Sequence, residues 1–404
     1  MPASDRLQPL PYHVRLLEHL KSHEGDLWSW FASTSARTEH FDAVKLKLLR
    51  STYCIDRETQ PALYTLAKTA AGRLGIDLPI TLYQAQQSGE GLNASLVWMP
   101  GEAHIVLQGP VGERLTEPEM TAVFGHELAH AALWSFEDGA YHIAENILDA
   151  MHDDRGAAAH ERSHRLFRLY TEAFCDRGAL IAADDLETAV SALVKIETGV
   201  TDVNAQSFLQ QADEVLTADN SASDGQTHPE TVIRARCLRL WSEQADDADE
   251  QICAMIEGPL ALTRLDLLQQ VRLTQLTRDL VAHLLEPKWM CSELIVAHAR
   301  LFFDDGHLPD GVSNGLPPEF DFKHSDDDLV DYVCYLLLDF GTCDAELQDQ
   351  ALARVLLLSR RFEIEEAFVK LATDALKLRK RQIETWKEQA EQIVAAAAGA
   401  GGDA

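Results

Sequence analysis

Apolar positions recur at helical spacing in YHVRLLEHL and FDAVKLKLLR, so the first 50 or so residues are predicted to be amphipathic helices. A further helix, ALYTLAKTAAGRLG, ends at Gly75, the residue type that most easily takes the left-handed conformation closing a helix. The period then changes. ITLYQA (80–85), ASLVWM (94–99) and AHIVLQG (103–109) are short, partly β-branched and separated by Gly, Asn and Pro, which predicts strands. MPGE at 99–102 turns the second strand into the third. From Thr116 the chain is helical again. TEPE (116–119) is a capping box, with Thr116 as N-cap and Glu119 reaching back to it. The helix behind it runs through FGHELAHAALW (124–134). Others cover RLFRLYTEAFCDRGALIAA (165–183) and DDLETAVSALVKIE, and one begins near Pro229 after the polar loop TADNSASDGQ (217–226). Beyond about residue 246 every periodic segment is helical. The Asp-, Gly- and Pro-rich 305–328 stretch is predicted to be a linker or long loop, and the tail AAAAGAGGDA to be frayed. The fold class expected is mainly α with a small β-sheet (α+β). The expected parts are N-terminal helices packing on the core (1–54), a main domain (55–245) and an all-helical accessory region (246–404).

Composition narrows the partners. Of 404 residues, 46% are hydrophobic, enough for a full core, and 35 Lys and Arg stand against 65 Asp and Glu. A formal charge of −30 repels nucleic acid and anionic membranes, so neither is expected as a partner. The best apolar run, LVDYVCYLLLDF, carries Asp331 and falls short of the roughly 20 residues of a spanning helix. The start of the chain lacks the basic and apolar regions of a signal peptide. Seven cysteines without C-x-x-C spacing do not form a disulfide framework. A reduced, soluble, cytoplasmic protein is the expectation.

The opening for chemistry is HELAH. On a helix His126 and His130 lie one turn apart on one face, where two imidazoles can converge on a metal, and Glu127 stands beside them to take a proton from a metal-bound water. Read alone, the same spelling also fits two surface histidines, and a third ligand is needed to decide. Leu133 and Phe136 occupy the positions where a metzincin places its Gly and third His. Glu145, Asp149 and Glu161 are conceivable ligands; Glu172 in YTEAFCDRGA is the stronger candidate. Asp176, one turn on, is placed to accept a hydrogen bond from a ligand histidine. The histidines between, His142, His152, His160 and His164, read as plain surface, with extra ligands or a pH-sensitive lid as the other readings.

With these residues in view, roughly residues 55–245 resemble the HtpX-like, Oma-like and CAAX prenyl protease gluzincins, family 48 of the metallopeptidases. EPEMTAVFGHELAHA resembles the family's zinc helix, and TEAFCDRGA its E-x-x-x-D motif. LNASLVWMPGEAHIVL is similar to its edge strand and turn, and QTHPETVIRAR to its late T/S-H-P segment. The four occur in the family's order. The resemblance implies a gluzincin core holding one Zn²⁺ per chain through His126, His130 and Glu172, with Glu127 as general base. It implies that Asp176 orients a zinc histidine, that His228 stabilises the oxyanion or caps the resting metal, and that Arg234 supports the site. It further implies that Asn93, Ala94 and Ser95 bind a substrate peptide as an added strand. Many relatives are membrane-embedded or exported, and this chain is expected to be neither. The activity implied is a soluble zinc endopeptidase acting on protein or peptide substrates. The alternative is a silent or capped scaffold with a binding or regulatory role.

In the last region LLLDFGTCDAELQDQALARVLLLSRRF has the shape of two helices around an acidic turn and faintly resembles TerB-like helical domains. A packing or partner-docking module is the expected role, with regulation of the peptidase as one form of it.

Overall fold

A computed structural model describes residues 7–34, 38–86, 91–152, 158–219, 222–308 and 326–400. The chain divides into two compact units, Met1–Gly258 and Pro259–Ala404. The sequence-based boundary after residue 245 falls within the first unit, ahead of its last helix. The fold is mainly α with one small sheet.

In the first unit α1 (Pro11–His23), α2 (Gly25–Thr34) and α3 (Thr38–Ser51) precede β1 (Thr52–Cys54) and α4 (Pro61–Leu74). Then come β2 (Ile80–Ala85), β3 (Asn93–Met99), β4 (Glu102–Gln108) and the single turn α5 (Val111–Arg114). The helical remainder is α6 (Glu117–Ser135), α7 (Ala140–His152), α8 (Ala158–Ala183), α9 (Leu186–Thr198), α10 (Ala205–Ala218), α11 (Thr231–Glu243) and α12 (Ala248–Glu257). Gly75 closes α4 at φ +72°, as its residue type predicts.

The sheet runs β1-β2-β4-β3. β4 pairs parallel with β2 and antiparallel with β3. Ala103 to Leu107 of β4 are all buried, the pattern of a strand covered on both faces. β3 is half-buried and, among the described residues, pairs with β4 alone, which puts it at the edge of the sheet. β1 has three residues, too few to show any alternation in the sequence.

α6 begins at the expected capping box: the Thr116 N–H donates to Glu119 Oε2 at 2.8 Å, and the Glu119 N–H to Thr116 Oγ1 at 3.4 Å. The same carboxylate accepts from Ser191 Oγ at 2.6 Å and Lys195 Nζ at 2.8 Å, fastening the start of α6 to α9. α6 and α8 are buried on nearly every side and pack on each other. Gly125 and Gly178 meet where they cross. A methyl group at Gly125 would overlap Ala182, and one at Gly178 would overlap Ala129. Two missing side chains therefore let the backbones approach closely enough for polar groups on both helices to share one space.

The second unit contains α13 (Leu267–Leu285), α14 (Glu293–Arg300), α15 (Asp327–Thr342), α16 (Gln348–Arg361), α17 (Glu365–Leu376) and α18 (Lys380–Ala400). Its own core includes Leu276, Leu280, Leu337, Phe340, Val355 and Phe368. The acidic turn between α15 and α16 is structural in its visible contacts: Asp344 accepts from Ser292 Oγ at 2.6 Å and from the Glu346 N–H at 3.0 Å. Most of the predicted 305–328 loop lies outside the described residues. The predicted fraying from residue 395 is replaced by helix through Ala400, in keeping with the high helix propensity of its alanines; the last four residues lie outside the described ones. All seven cysteines are free. Among the described residues no helix is long and apolar enough to cross a membrane.

Candidate active site

α6 carries His126, Glu127 and His130 into a cleft of about 330 Å³, and α8 brings Glu172 and Asp176 to its other side. Glu172 Oε2 lies 3.4 Å from His126 Nε2, and Oε1 lies 3.7 Å from His130 Nε2. The remaining ring nitrogen of His126, Nδ1, is 3.1 Å from Asp176 Oδ1, so its N–H donates there and Nε2 faces the cleft. α11 adds Arg234, whose Nε and Nη2 donate to the two Asp176 oxygens, each at 2.7 Å. Its Nη1 donates to Glu197 Oε1, also at 2.7 Å. From the loop before α11, His228 Nε2 reaches 3.4 Å from Glu172 Oε2, with 51% of its side chain exposed. Asn93, Ala94, Ser95 and Leu96 of β3 form one wall.

Burial sets the electrostatics. It pushes the Glu127 carboxyl up to about 7; the Glu172 charge adds to this, while the His126 charge and the Leu96 backbone oppose it. Burial by itself would also raise Glu172. The contact with His126 and the charges of His126, His130 and Arg234 outweigh it and hold Glu172 well below the usual carboxylate range. Asp176 is lowered too, with the Arg234 guanidinium overcoming its burial. Burial lowers His130 to about 4, leaving it a neutral imidazole with a free lone pair. His126 goes the other way: its burial is outweighed by Asp176 and Glu172, which favour a cation there.

The donor set fits a divalent metal ion. Two ligands about 2.1 Å from a tetrahedral ion stand about 3.4 Å apart, the separation found between Glu172 and His126. Glu172 Oε2 is buried without a well-formed hydrogen bond among the described residues. Nitrogen and carboxylate donors suit zinc. The group of His126, His130 and Cys175 also brings three donor atoms within 4.8 Å of one another. Glu172 is the better third donor. Its two oxygens lie within 3.7 Å of the imidazole nitrogens and line the cleft, whereas Cys175 is fully buried and does not line it.

Beyond the polar residues the cleft is apolar, lined by Val123, Ala179, Ala192, Leu193 and Leu238. Glu197 is a member of the site absent from the sequence reading; it sits next to the Thr198–Gly199 helix end and looks like ordinary solvated surface in KIETG. The reading of the intervening histidines as surface needs correction. His164 is 7% exposed and lies 2.8 Å from Asp149. The His142 ring lies tilted against Trp98 with centroids 4.5 Å apart, and His160 is 3.5 Å from Glu24. α7 and α8 fold these positions inward, which their local composition conceals. The side chain of His152 lies outside the described residues.

The chain is similar to Plastoglobule-localized metallopeptidase 48, chloroplastic, of Arabidopsis thaliana, being 29% identical over 202 residues. The match covers 46% of this chain and 58% of that protein's length. No family model matches the chain, and no solved structure does. The likeness supports a metallopeptidase of family 48 and leaves its HtpX-like, Oma-like and CAAX branches undivided.

Proposed function

We propose that the protein is a zinc-dependent endopeptidase that hydrolyses peptide bonds, with one Zn²⁺ per chain held by His126, His130 and Glu172. The observation that carries this is the meeting of those three donors, with Glu127 beside them, at the wall formed by edge strand β3. Zinc bound there would polarise the scissile carbonyl and make water more acidic. Glu127, next to His126 on the same helix and lining the cleft, takes the proton of the attacking water and passes it to the leaving amine. His228 donates from Nε2 to the carbonyl oxygen as charge develops. Asp176 fixes His126 with Nε2 inward, and Arg234 fixes Asp176. Asn93, Ala94 and Ser95 offer backbone groups to an extended substrate, which pairs with β3 as a further strand. A cytoplasmic location, and C-terminal helices that select substrates or restrain the site, complete the reading.

A second reading is favoured by the 3.4 Å approach of His228 to Glu172: the histidine caps the metal, and the chain acts as a binding or regulatory scaffold. Elemental analysis of the wild type and Glu172→Ala, with peptide cleavage by wild type, Glu127→Gln and His228→Ala, separates the two. The endopeptidase reading expects one zinc per chain, much weakened in Glu172→Ala. It also expects cleavage reduced by about 10²–10⁴ in Glu127→Gln with zinc retained. His228→Ala lowers cleavage if His228 serves the oxyanion and raises it if His228 is a cap. A wild type that takes up no zinc after reconstitution sinks the metal centre.

A further inference from the structure

His228 is half exposed in a polar loop, a setting in which an imidazole ordinarily samples many positions, yet here it reaches the site. The loop that carries it is fastened at several points. The Ser223 N–H donates to the Met255 carbonyl at 2.9 Å, and the Ser223 carbonyl accepts from Arg165. Gly258 packs against Ala222 with no room for a methyl group. Farther along, Glu230 Oε1 accepts from two backbone donors, the N–H of Asp224 at 2.8 Å and that of Gly225 at 3.1 Å. The Gly225 N–H is shared with Ser223 Oγ at 3.2 Å. Gly225 lies so close to the His228 carbonyl that any Cβ there would overlap it. Within this closed turn Thr227 Oγ1 is 2.8 Å from His228 Nδ1, leaving Nε2 for the cleft.

We infer that Glu230 is a positioning residue: its carboxylate closes the 224–230 turn and so holds the His228 imidazole over the reaction centre. The bonds join the residue two after His228 to the backbone three and four before it, so the histidine lies inside the ring they close. One anionic oxygen receiving two N–H groups makes two charge-assisted hydrogen bonds, stronger than neutral ones. Gly225 serves the same end by allowing the turn to pass against the His228 carbonyl. Holding a donor in place before reaction raises the rate without changing what the substrate contacts in the ground state.

This inference rests on the peptidase reading for its kinetic arm, and a second arm needs no activity. In zinc-loaded full-length protein, Glu230→Ala is expected to lower kcat by about tenfold or more, with KM within about twofold and zinc content unchanged. Glu230→Gln, whose amide oxygen can accept the same two N–H groups, restores kcat to within about threefold of wild type. Gly225→Ala lowers kcat as Glu230→Ala does. The double variant Glu230→Ala/His228→Ala is no slower than His228→Ala alone, because both changes remove one function. In native-state hydrogen exchange, the Asp224 and Gly225 amides exchange about tenfold faster in Glu230→Ala and not in Glu230→Gln. Wild-type kcat in Glu230→Ala, or losses that multiply in the double variant, overturn the inference. If the wild type cleaves nothing, the peptidase reading fails by itself; unchanged exchange in Glu230→Ala then removes the clamp as well, and faster exchange keeps it.

Discussion

Asp176 uses its two oxygens for different tasks: one accepts from His126, and both accept from Arg234. Asp176→Asn keeps the shape but loses the charge that fixes the His126 tautomer. Zinc affinity, measured by competition with a chelator, is expected to fall about 10–100-fold. His13 on α1 makes the opposite case, a buried ring that must stay neutral. It is fully buried, its Nε2 lies 3.2 Å from Thr171 Oγ1, and burial lowers it to about 3. Thr171 donates its own proton to the Phe167 carbonyl, so it accepts from the His13 N–H. The folded pKa lies below the unfolded 6.5, so the unfolded chain binds the additional proton between those values. Stability is complete above about pH 6.5 and declines as pH falls toward 3, by about 2 kcal/mol at pH 5. Urea unfolding at pH 7 and pH 5 measures this decline. In His13→Leu it should shrink by about that amount, and an equal decline in both proteins removes His13 as its source.

At the scale of elements, the crossing of α6 and α8 is what brings the two halves of the proposed metal site together. Gly178→Ala forces a methyl group onto Ala129 and is expected to cost about 1–3 kcal/mol, as overpacked cores do. It also displaces Glu172 from the α6 histidines, so zinc affinity falls along with the urea midpoint. Full affinity in a destabilised Gly178→Ala protein separates packing from ligand placement. This crossing was not legible in the sequence. Gly125 and Gly178 are single glycines in two helices, and nothing local says that they face each other. Features governed by neighbours a few residues away were legible: the Thr116–Glu119 capping box, the left-handed Gly75, and the short β-branched strands at 80–85, 94–99 and 103–109. Three-residue β1 and the inward turn of His142 and His164 depend on distant partners and were missed. The candidate site divides in the same way. HELAH and the Glu172–Asp176 spacing are helix periodicity, whereas His228 and Arg234 entered only through a family resemblance. Glu197 and Glu230 entered through neither, because in the sequence a carboxylate that braces the site resembles one that faces water.

For the whole molecule, the division into two units bears on what zinc can stabilise. His126, His130, Glu172 and the residues that orient them all fall within Met1–Gly258, and the second unit buries a hydrophobic core of its own. A ligand bound only by the folded form of one unit stabilises that unit by mass action, about 4 kcal/mol at a thousandfold excess over Kd. For a unit of this size that corresponds to a rise of about 8–16 °C in its midpoint. Calorimetry of the full chain is therefore expected to show two transitions, one rising on zinc addition and the other staying in place. Glu172→Ala should abolish the rise without moving the unresponsive transition. If zinc raises both transitions together, the two units unfold as one cooperative body, and a change in the C-terminal helices would be felt at the metal. That outcome would turn the proposed restraint by those helices into a question of thermodynamic linkage, answered by comparing zinc affinity in the full chain and in residues 1–258.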